Sequence, residues 1–596
     1  MEKTYSELTF RAVVSGLFVG CLIGASNICI GLKIGWTFGA SITAAVISFA
    51  IFKTISGTLS RPYTDKENLI TATAGSSAGT MASAAGLTAS IPALELILQE
   101  QGKAPLTYGQ LILWGIAIAF LGVFFAVPLR KQMIVIEKLK YPTGTAAAET
   151  IKAMYASGAE AVKKAKMLFY AAIFAGLFKL VMSIKPLGLT SLEDLSFNDF
   201  GLSWGVLGLG FAILTIGINL SPMMLGAGIL IGPKVGWSLL GGSILAWGII
   251  TPILNHMGLI EYSGGTTIYR DALKWILWPG VACMVAAGFT SLALQYKTIA
   301  RTFTSLKKVT AGSKAADEED DAPDPFPMSW WFIGMSLATA LTATIAYLYF
   351  GIPIWMGILA VILSLFIASV AVRATGETDI NPVGAMGKIT QVVYGLLDPG
   401  KITTNLMAAG ITAAGASQAG DLMHDLKAGY ILKVSIRKQV ITQLIGVVTG
   451  IFVAAAVYRL LTAAYEIPGE TFAGPAVVAW HLMAKVLAEG VSSLEPSALW
   501  AAVVGALFGI IVTIMHKVKG IAKWLPSPVA LGIAFIVPAY YSVAMWLGAI
   551  LTYMCNRKNP QAVDSYGASL ASGLIAGEGL MMVLIALLLI LGVSWV

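Results

Sequence analysis

Runs of roughly 18 to 30 apolar residues recur from Phe10 to Val596, each long enough as a helix to cross ~30 Å of hydrocarbon at ~1.5 Å per residue. Short stretches rich in Lys, Arg, Asp, Gly and Pro separate them. In a bilayer core the backbone must satisfy its own hydrogen bonds, so runs of this kind are helices rather than open strands. The pattern predicts an all-α polytopic membrane protein with about 14 to 16 transmembrane helices. The first apolar run continues from about Ala12 to Leu32 without an obvious cleavage site and is expected to be the first span, not a signal peptide.

The runs are interrupted in a patterned way. Gly16, Gly20 and Gly24 form one small-residue stripe, and Gly228, Gly232 and Gly236 another, as close helix packing in lipid requires. MLGAGILIGPKVGWSLLGGSIL (Met224 to Leu245) aligns with ALGIAFIVPAYYSVAMWLGAIL (Ala530 to Leu551), matching Leu225 with Leu531 and Gly242 with Gly548. Pro233 and Pro538 then fall within about one position of each other. YPTGTAAAETIKAM (Tyr141 to Met154) pairs with FAGPAVVAWHLMAK (Phe472 to Lys485), each a Gly/Pro turn opening an Ala-rich helix. The common order predicts two related halves with broken or re-entrant helices, and corresponding Gly/Pro breaks point to a transporter's binding site. Residues 1–295 are expected to form the N-terminal transmembrane half, 296–327 a charged cytoplasmic linker containing DEEDDAPDPFP, and 328–596 the C-terminal half.

Composition agrees with this picture. Of 596 residues, 57% are hydrophobic and 12% charged, with a mean hydropathy of +0.80. A net charge of +8 invites a nucleic-acid reading, but the basic residues sit in short loops beside spans, where they mark the cytoplasmic side. Counting spans between these loops places the N-terminus in the cytoplasm. The four cysteines have no C-x-x-C spacing and the four histidines are scattered, so no metal site, cofactor or disulfide framework is expected. Gly201-Leu202-Ser203-Trp204-Gly205 fits G-x-S-x-G without the strand–turn–helix elbow it needs, and no nucleophile with its base is found, so no enzyme is expected.

Polar groups inside spans are the candidates for chemistry, because a charge at a helix centre costs ~2.5 to 3.5 kcal/mol unless paired or hydrated. Glu578, between Gly577 and Gly579, is the leading proton-coupling candidate, against an acid hydrogen-bonded to a neighbouring helix for structure alone, and Glu149 is the second, its basic flanks fitting a solvated interfacial position equally well. ETDINPVGAMGKITQ (Glu377 to Gln391) places Asn-Pro and two glycines inside an expected span, which is tolerated where backbone is buried in protein or lines a cavity. It nominates Asn381 and Gly384. Asp421 and Asp425 share a helix face beside His424 and Lys427, as a substrate site or equally as a helix-end network. Lys234, after Gly232-Pro233, could meet a carboxylate or simply snorkel to the interface.

These segments also carry a resemblance. ELTFRAVVSGLFVG, YPTGTAAAETIKA, ETDINPVGAMGKITQ, QAGDLMHDLKAGYILKVSIRKQ and GLIAGEGL together resemble the oligopeptide transporter (OPT) family through nearly the whole chain, nearer to its yellow stripe-like and prokaryotic branches. The resemblance implies proton-coupled symport of short peptides or, alternatively, of peptide-like metal chelates. It implies protons and a lipid bilayer as partners, a cell (inner) membrane location, and leaves a homo-oligomer open. As pattern matches it carries over Gly420, Asp421, Asp425, Lys427, Gly429 and Glu578.

Overall fold

The computed structural model describes residues 6–593 apart from 60, 157, 185–193, 197–204, 265–266, 295, 298–323, 325, 380, 491–494 and 519. Most of the expected linker, Gly201 to Trp204 of the G-x-S-x-G match, and much of the connection after Lys185 therefore lie outside the described residues. Gly205 itself opens a two-residue strand.

The first half runs through α1 (Phe10–Ile34), α2 (Ser41–Thr54), α3 (Asp65–Gly79), α4 (Met81–Ala84), α5 (Ser90–Glu100), α6 (Tyr108–Arg130), α7 (Pro142–Ala156), α8 (Gly158–Ser183), α9 (Pro222–Ser243), α10 (Thr251–His256) and α11 (Tyr269–Ala293). The second runs through α12 (Met328–Phe350), α13 (Ile354–Thr378), α14 (Val383–Leu397), α15 (Ile402–Leu432), α16 (Ile436–Ala464), α17 (Pro475–Glu489), α18 (Pro496–Met515), α19 (Pro528–Ala534), α20 (Ala539–Lys558) and α21 (Pro560–Ile590). Among the described residues the strands are two short hairpin-like pairs between Asp194 and Asn219. Among the described residues ten helices are long and apolar enough to cross a bilayer. The 31-residue α15 is longer than most of these but diluted by Gly, Ser, Asp and Lys. The roughly 14 to 16 spans expected from sequence exceed this number; α15 and the shorter α2, α3, α7, α14 and α17 are not among the ten.

Glycine sets how closely the helices pack. A Cβ on Gly16 would lie 2.3 Å from the Thr71 carbonyl oxygen and one on Gly20 2.5 Å from that of Gly75, so the first predicted stripe is the contact of α1 with α3. Gly573 and Gly577 of α21 approach the carbonyls of Leu168 and Ala172 in α8 in the same way, at 2.3 and 2.0 Å. With lipid tails as apolar as Leu, such close packing supplies the association energy that hydrophobic burial supplies in water. The second stripe divides. Gly228 packs on the Met545 carbonyl, whereas Gly232, at φ 75°, breaks α9 before Pro233.

The segments aligned by sequence pack against each other and exchange equivalent contacts. A Cβ on Gly548 would lie 2.2 Å from the Leu225 carbonyl oxygen, and one on Gly242, its aligned counterpart, 2.8 Å from that of Leu531, the counterpart of Leu225. Both segments open with a Ser-Pro cap: Ser221 Oγ accepts from Met224 N and Ser527 Oγ from Ala530 N. The second aligned pair behaves likewise. Tyr141 (φ 44°) and Gly474 (φ 55°) are both left-handed and each precedes the proline that starts a 15-residue helix, α7 or α17. Tyr141 N donates to Gly376 O near the end of α13, and Gly474 N to Leu32 O near the end of α1. Each turn is thus tied to a helix of the opposite half.

Three of the basic segments are joined by ion pairs. Glu7 takes Lys66 at 3.7 Å and Lys438 at 3.3 Å, the buried Glu67 takes Arg11 at 2.7 Å and Arg61 at 3.4 Å, and Asp324 at the end of the linker pairs with Arg437 at 3.9 Å. These contacts gather the N-terminus, the loop after α2, the start of α16 and the linker's end.

Because Gly548 has a backbone carbonyl where a side chain would go, Gly548→Leu is expected to lose about 1 to 3 kcal/mol or more through overpacking. Gly241→Leu, on the same pair of helices with open space around its Cβ, is expected to leave the melting temperature in detergent close to wild type.

Candidate functional site

A cavity of about 950 Å³ lies where broken helix ends converge. Its wall takes the turn Ile34–Gly39 between α1 and α2, the start of α14, one face of α15, the start of α17, the last turns of α11 and α18, and the start of α19. Four of these ends have a local cause. Gly35 terminates α1 at φ 80°, Pro382 precedes α14, and Pro475 and Pro528 occupy the first turns of α17 and α19. A left-handed glycine ends a helix and a proline favours its first turn, where no N–H partner is needed, and the freed backbone groups are tolerated because they face protein or a cavity. Aromatic and hydroxyl groups share the wall, among them Trp36, Trp480, Thr37, Ser83, Ser90 and Ser417. Its charged or titratable residues are Lys388, Asp421, His516 and Lys517.

Asp379 fixes the entry to α14. It is left-handed at φ 67°, and its carboxylate accepts from Thr143 N at 2.8 Å and Thr143 Oγ1 at 2.7 Å, which clamps the chain to the start of α7. Two residues on, Asn381 Nδ2 donates to Ala416 O at 2.9 Å across α15. Gly420 makes that clasp possible, since a Cβ there would lie 2.4 Å from Asn381 Nδ2. Asn381, Gly384 and Asp421 all line the cavity, and these three sequence candidates are brought together.

The other candidates stand elsewhere. His424 Nδ1 accepts from Gly144 N at 3.2 Å, which leaves its proton on Nε2, 3.8 Å from Asp379. It joins the YPTGT turn, the Asp379 loop and α15, and does not line the cavity. Asp425, one turn beyond Asp421, is buried and accepts from Ser41 Oγ at 3.0 Å, tying α15 to α2. Lys427 lies 5.7 Å from the Tyr430 ring, outside the wall. Lys234 is also outside it, donating to Ala522 O at 3.0 Å near the kink of α9. Glu149 pairs with Lys152 at 3.1 Å on the surface, 60% exposed.

Glu578 is fully buried and surrounded by donors. Ser221 Oγ reaches its two oxygens at 2.7 and 2.8 Å, Met223 N donates at 2.7 Å, and the equally buried Lys33 Nζ stands 3.7 Å away with the Tyr541 ring 5.1 Å beyond the ammonium. The carboxylate thus caps the N-terminus of α9 from α21 while pairing with α1, and Lys33 directly precedes the Ile34–Gly39 cavity wall. Three groups that sequence reasoning did not nominate belong to these sites: Lys33, Lys388 and Ser221. Lys388 carried a readable signal, standing four residues after Gly384 in a segment already singled out. Lys33, at a helix end, resembles any snorkelling lysine until α21 is placed beside it.

Comparison with known proteins bears on what this arrangement serves. A family model described as OPT oligopeptide transporter protein matches residues 7–589. The chain is 27% identical to "Putative oligopeptide transporter YGL114W" of Saccharomyces cerevisiae, over 99% of this chain and 97% of that protein. It is 26% identical to "Probable metal-nicotianamine transporter YSL6" of Oryza sativa subsp. japonica, over 99% and 92%, and 23% identical to "Metal-nicotianamine transporter YSL3" of Arabidopsis thaliana, over 98% and 92%.

Gly384 has open space toward Lys388 Nζ, 4.0 Å from its Cβ position, and an ordinary helical backbone. Gly384→Leu should therefore project into the cavity without unfolding the protein. In a Cys555→Ala background, labelling of Ser417→Cys by a charged thiol reagent is expected to slow at least several-fold when Gly384→Leu is added, with an unchanged melting temperature.

Proposed function

As the chain belongs to the oligopeptide transporter family, we propose that this transporter is a proton-coupled symporter that takes up short oligopeptides through the cavity between its broken helices. The observation that carries the reading is the adjacency of two features: a cavity of about 950 Å³, within the ~300–1,000 Å³ range of small-molecule sites, and a buried carboxylate–ammonium pair next to its wall. Protonation of Glu578 would cancel its attraction for Lys33 and weaken its hold on the N-terminus of α9. A single proton thereby acts on α1, α9 and α21 together. Peptide-like metal chelates are the second reading, favoured by the relatives named as metal-nicotianamine transporters. In that case the metal enters as part of the substrate.

We further propose that the two halves, 1–295 and 328–596, arose by duplication, supported by the exchanged contacts of Gly242 with Leu531 and Gly548 with Leu225. An N-terminus on the cytoplasmic side of the cell (inner) membrane is supported by the ion pairs that join Glu7 and Arg11 to the basic segments around Lys66 and Lys438.

Glu578→Gln keeps shape and removes the charge. Reconstituted in liposomes, it is expected to lose accumulation driven by an imposed pH gradient while keeping counterflow exchange at equal pH. Normal accumulation with an unaltered pH profile would reduce Glu578 to a structural cap.

Protease added to inside-out vesicles should cut between Ala311 and Pro327, and right-side-out vesicles should be protected; the reverse pattern would invert the assigned orientation.

A further inference from the structure

The cavity wall carries charge of both signs, and the two charges in its interior do not neutralise each other. Among the described residues neither Lys388 nor Asp421 takes part in an ion pair, although both line the same space. A charged side chain inside a membrane protein is costly unless it is hydrated or matched. A ligand that enters such a cavity has to supply the hydration or the matching charge itself.

The surroundings of Lys388 are specific. α14 begins at Val383 with no side chain capping its first turn, and Pro382, Val383, Gly384 and Ala385 all face the cavity. From the next turn Lys388 folds back over this end, its Nζ 3.5 Å from Gly384 O. Free amide N–H groups at a helix start and an ammonium therefore converge on one spot, and both favour an anion. Gly384 keeps the spot open, because a Cβ there would point at Lys388 Nζ. Across from it, Asp421 projects from α15 into the cavity near Asn381 and Ser417, with no cation to meet it among the described residues.

We propose that the first turn of α14 and Lys388 bind the substrate's carboxylate while Asp421 binds its free ammonium, so that the cavity selects a zwitterionic peptide with both ends unblocked. The proposal rests on the cavity being the transport site. It also discriminates between the two substrate classes: in an aminocarboxylate chelate the amine nitrogens are engaged by the metal and leave Asp421 without its partner, whereas a peptide presents both charges.

The test is calorimetric binding to the full-length protein in lipid nanodiscs, with tri-alanine, its C-terminal amide, its N-acetyl form and nickel–nicotianamine as probes. Wild type is expected to bind tri-alanine about tenfold more tightly than either blocked form, the loss appropriate to one charge-assisted contact. Lys388→Met should bind acid and amide alike while Lys388→Arg restores the preference. Asp421→Asn should erase only the preference against the acetylated form. Lys234→Met, a lysine that does not line the cavity, should keep both preferences. Equal binding of free and blocked tri-alanine by wild type, or a preference for the acid that survives Lys388→Met, overturns the proposal while leaving peptide transport intact. Binding of nickel–nicotianamine without tri-alanine overturns the ammonium half and the peptide class. Binding of no probe, together with no uptake of any in liposomes, removes the transport reading on which the proposal stands.

Discussion

A bilayer core offers no water to a freed amide or carbonyl, and the rest of this structure follows from how the chain meets that constraint. Helices satisfy it along most of the sequence. Where they stop short, at Gly35, Pro382, Pro475 and Pro528, the ends gather around one cavity. The cavity is thus what a set of broken helices leaves when their ends point at each other. The same breaks supply its chemistry, since an uncapped helix start such as that of α14 presents N–H groups to whatever occupies the space.

Holding broken helices in register demands close contact elsewhere, and glycine provides it. Carbonyl oxygens of α3, α8, α9 and α20 sit where side chains would be on the glycines that face them. Short distances of this kind give the dense packing that holds helices together in lipid, and they fix helix position along the axis as well as across it. The motif glycines of α15 belong to the same scheme: Gly420 admits the Asn381 clasp and Gly429 admits Gln439, whose Nε2 donates to Asp425 O.

Charges inside the fold divide into those that are answered and those that are not. Glu578 with Lys33, Arg373 with Glu137 and Glu95 with Arg459 are paired across helices, which suits positions that lock or release neighbouring elements. Lys388 and Asp421 face the cavity without such partners. This division separates residues that hold the protein together from residues that face the cavity, and residue type alone does not make it: Asp421 and Asp425 are both aspartates on one helix, four residues apart, yet one lines the cavity and the other is bound to Ser41.

The sequence by itself determined the helical membrane architecture, because apolar run length and backbone satisfaction in lipid leave little else. It also determined the family, the internal likeness of Met224–Leu245 to Ala530–Leu551, and the helix break at Asn381–Gly384, all of which are local patterns in one dimension. Tertiary structure decided which polar residues meet. Asn381, Gly384 and Asp421 come together because Gly420 lets the α14 entry close on α15, whereas His424 turns toward Gly144 and Asp379, and Lys234 and Glu149 stay outside the cavity. Glu578 looked like a lone acid among glycines, but it has Lys33 and the N-terminus of α9 as partners from segments hundreds of residues away in sequence. A helix's own periodicity tells which residues share its face; which neighbour that face meets depends on packing between distant segments, and that is not written in any one of them.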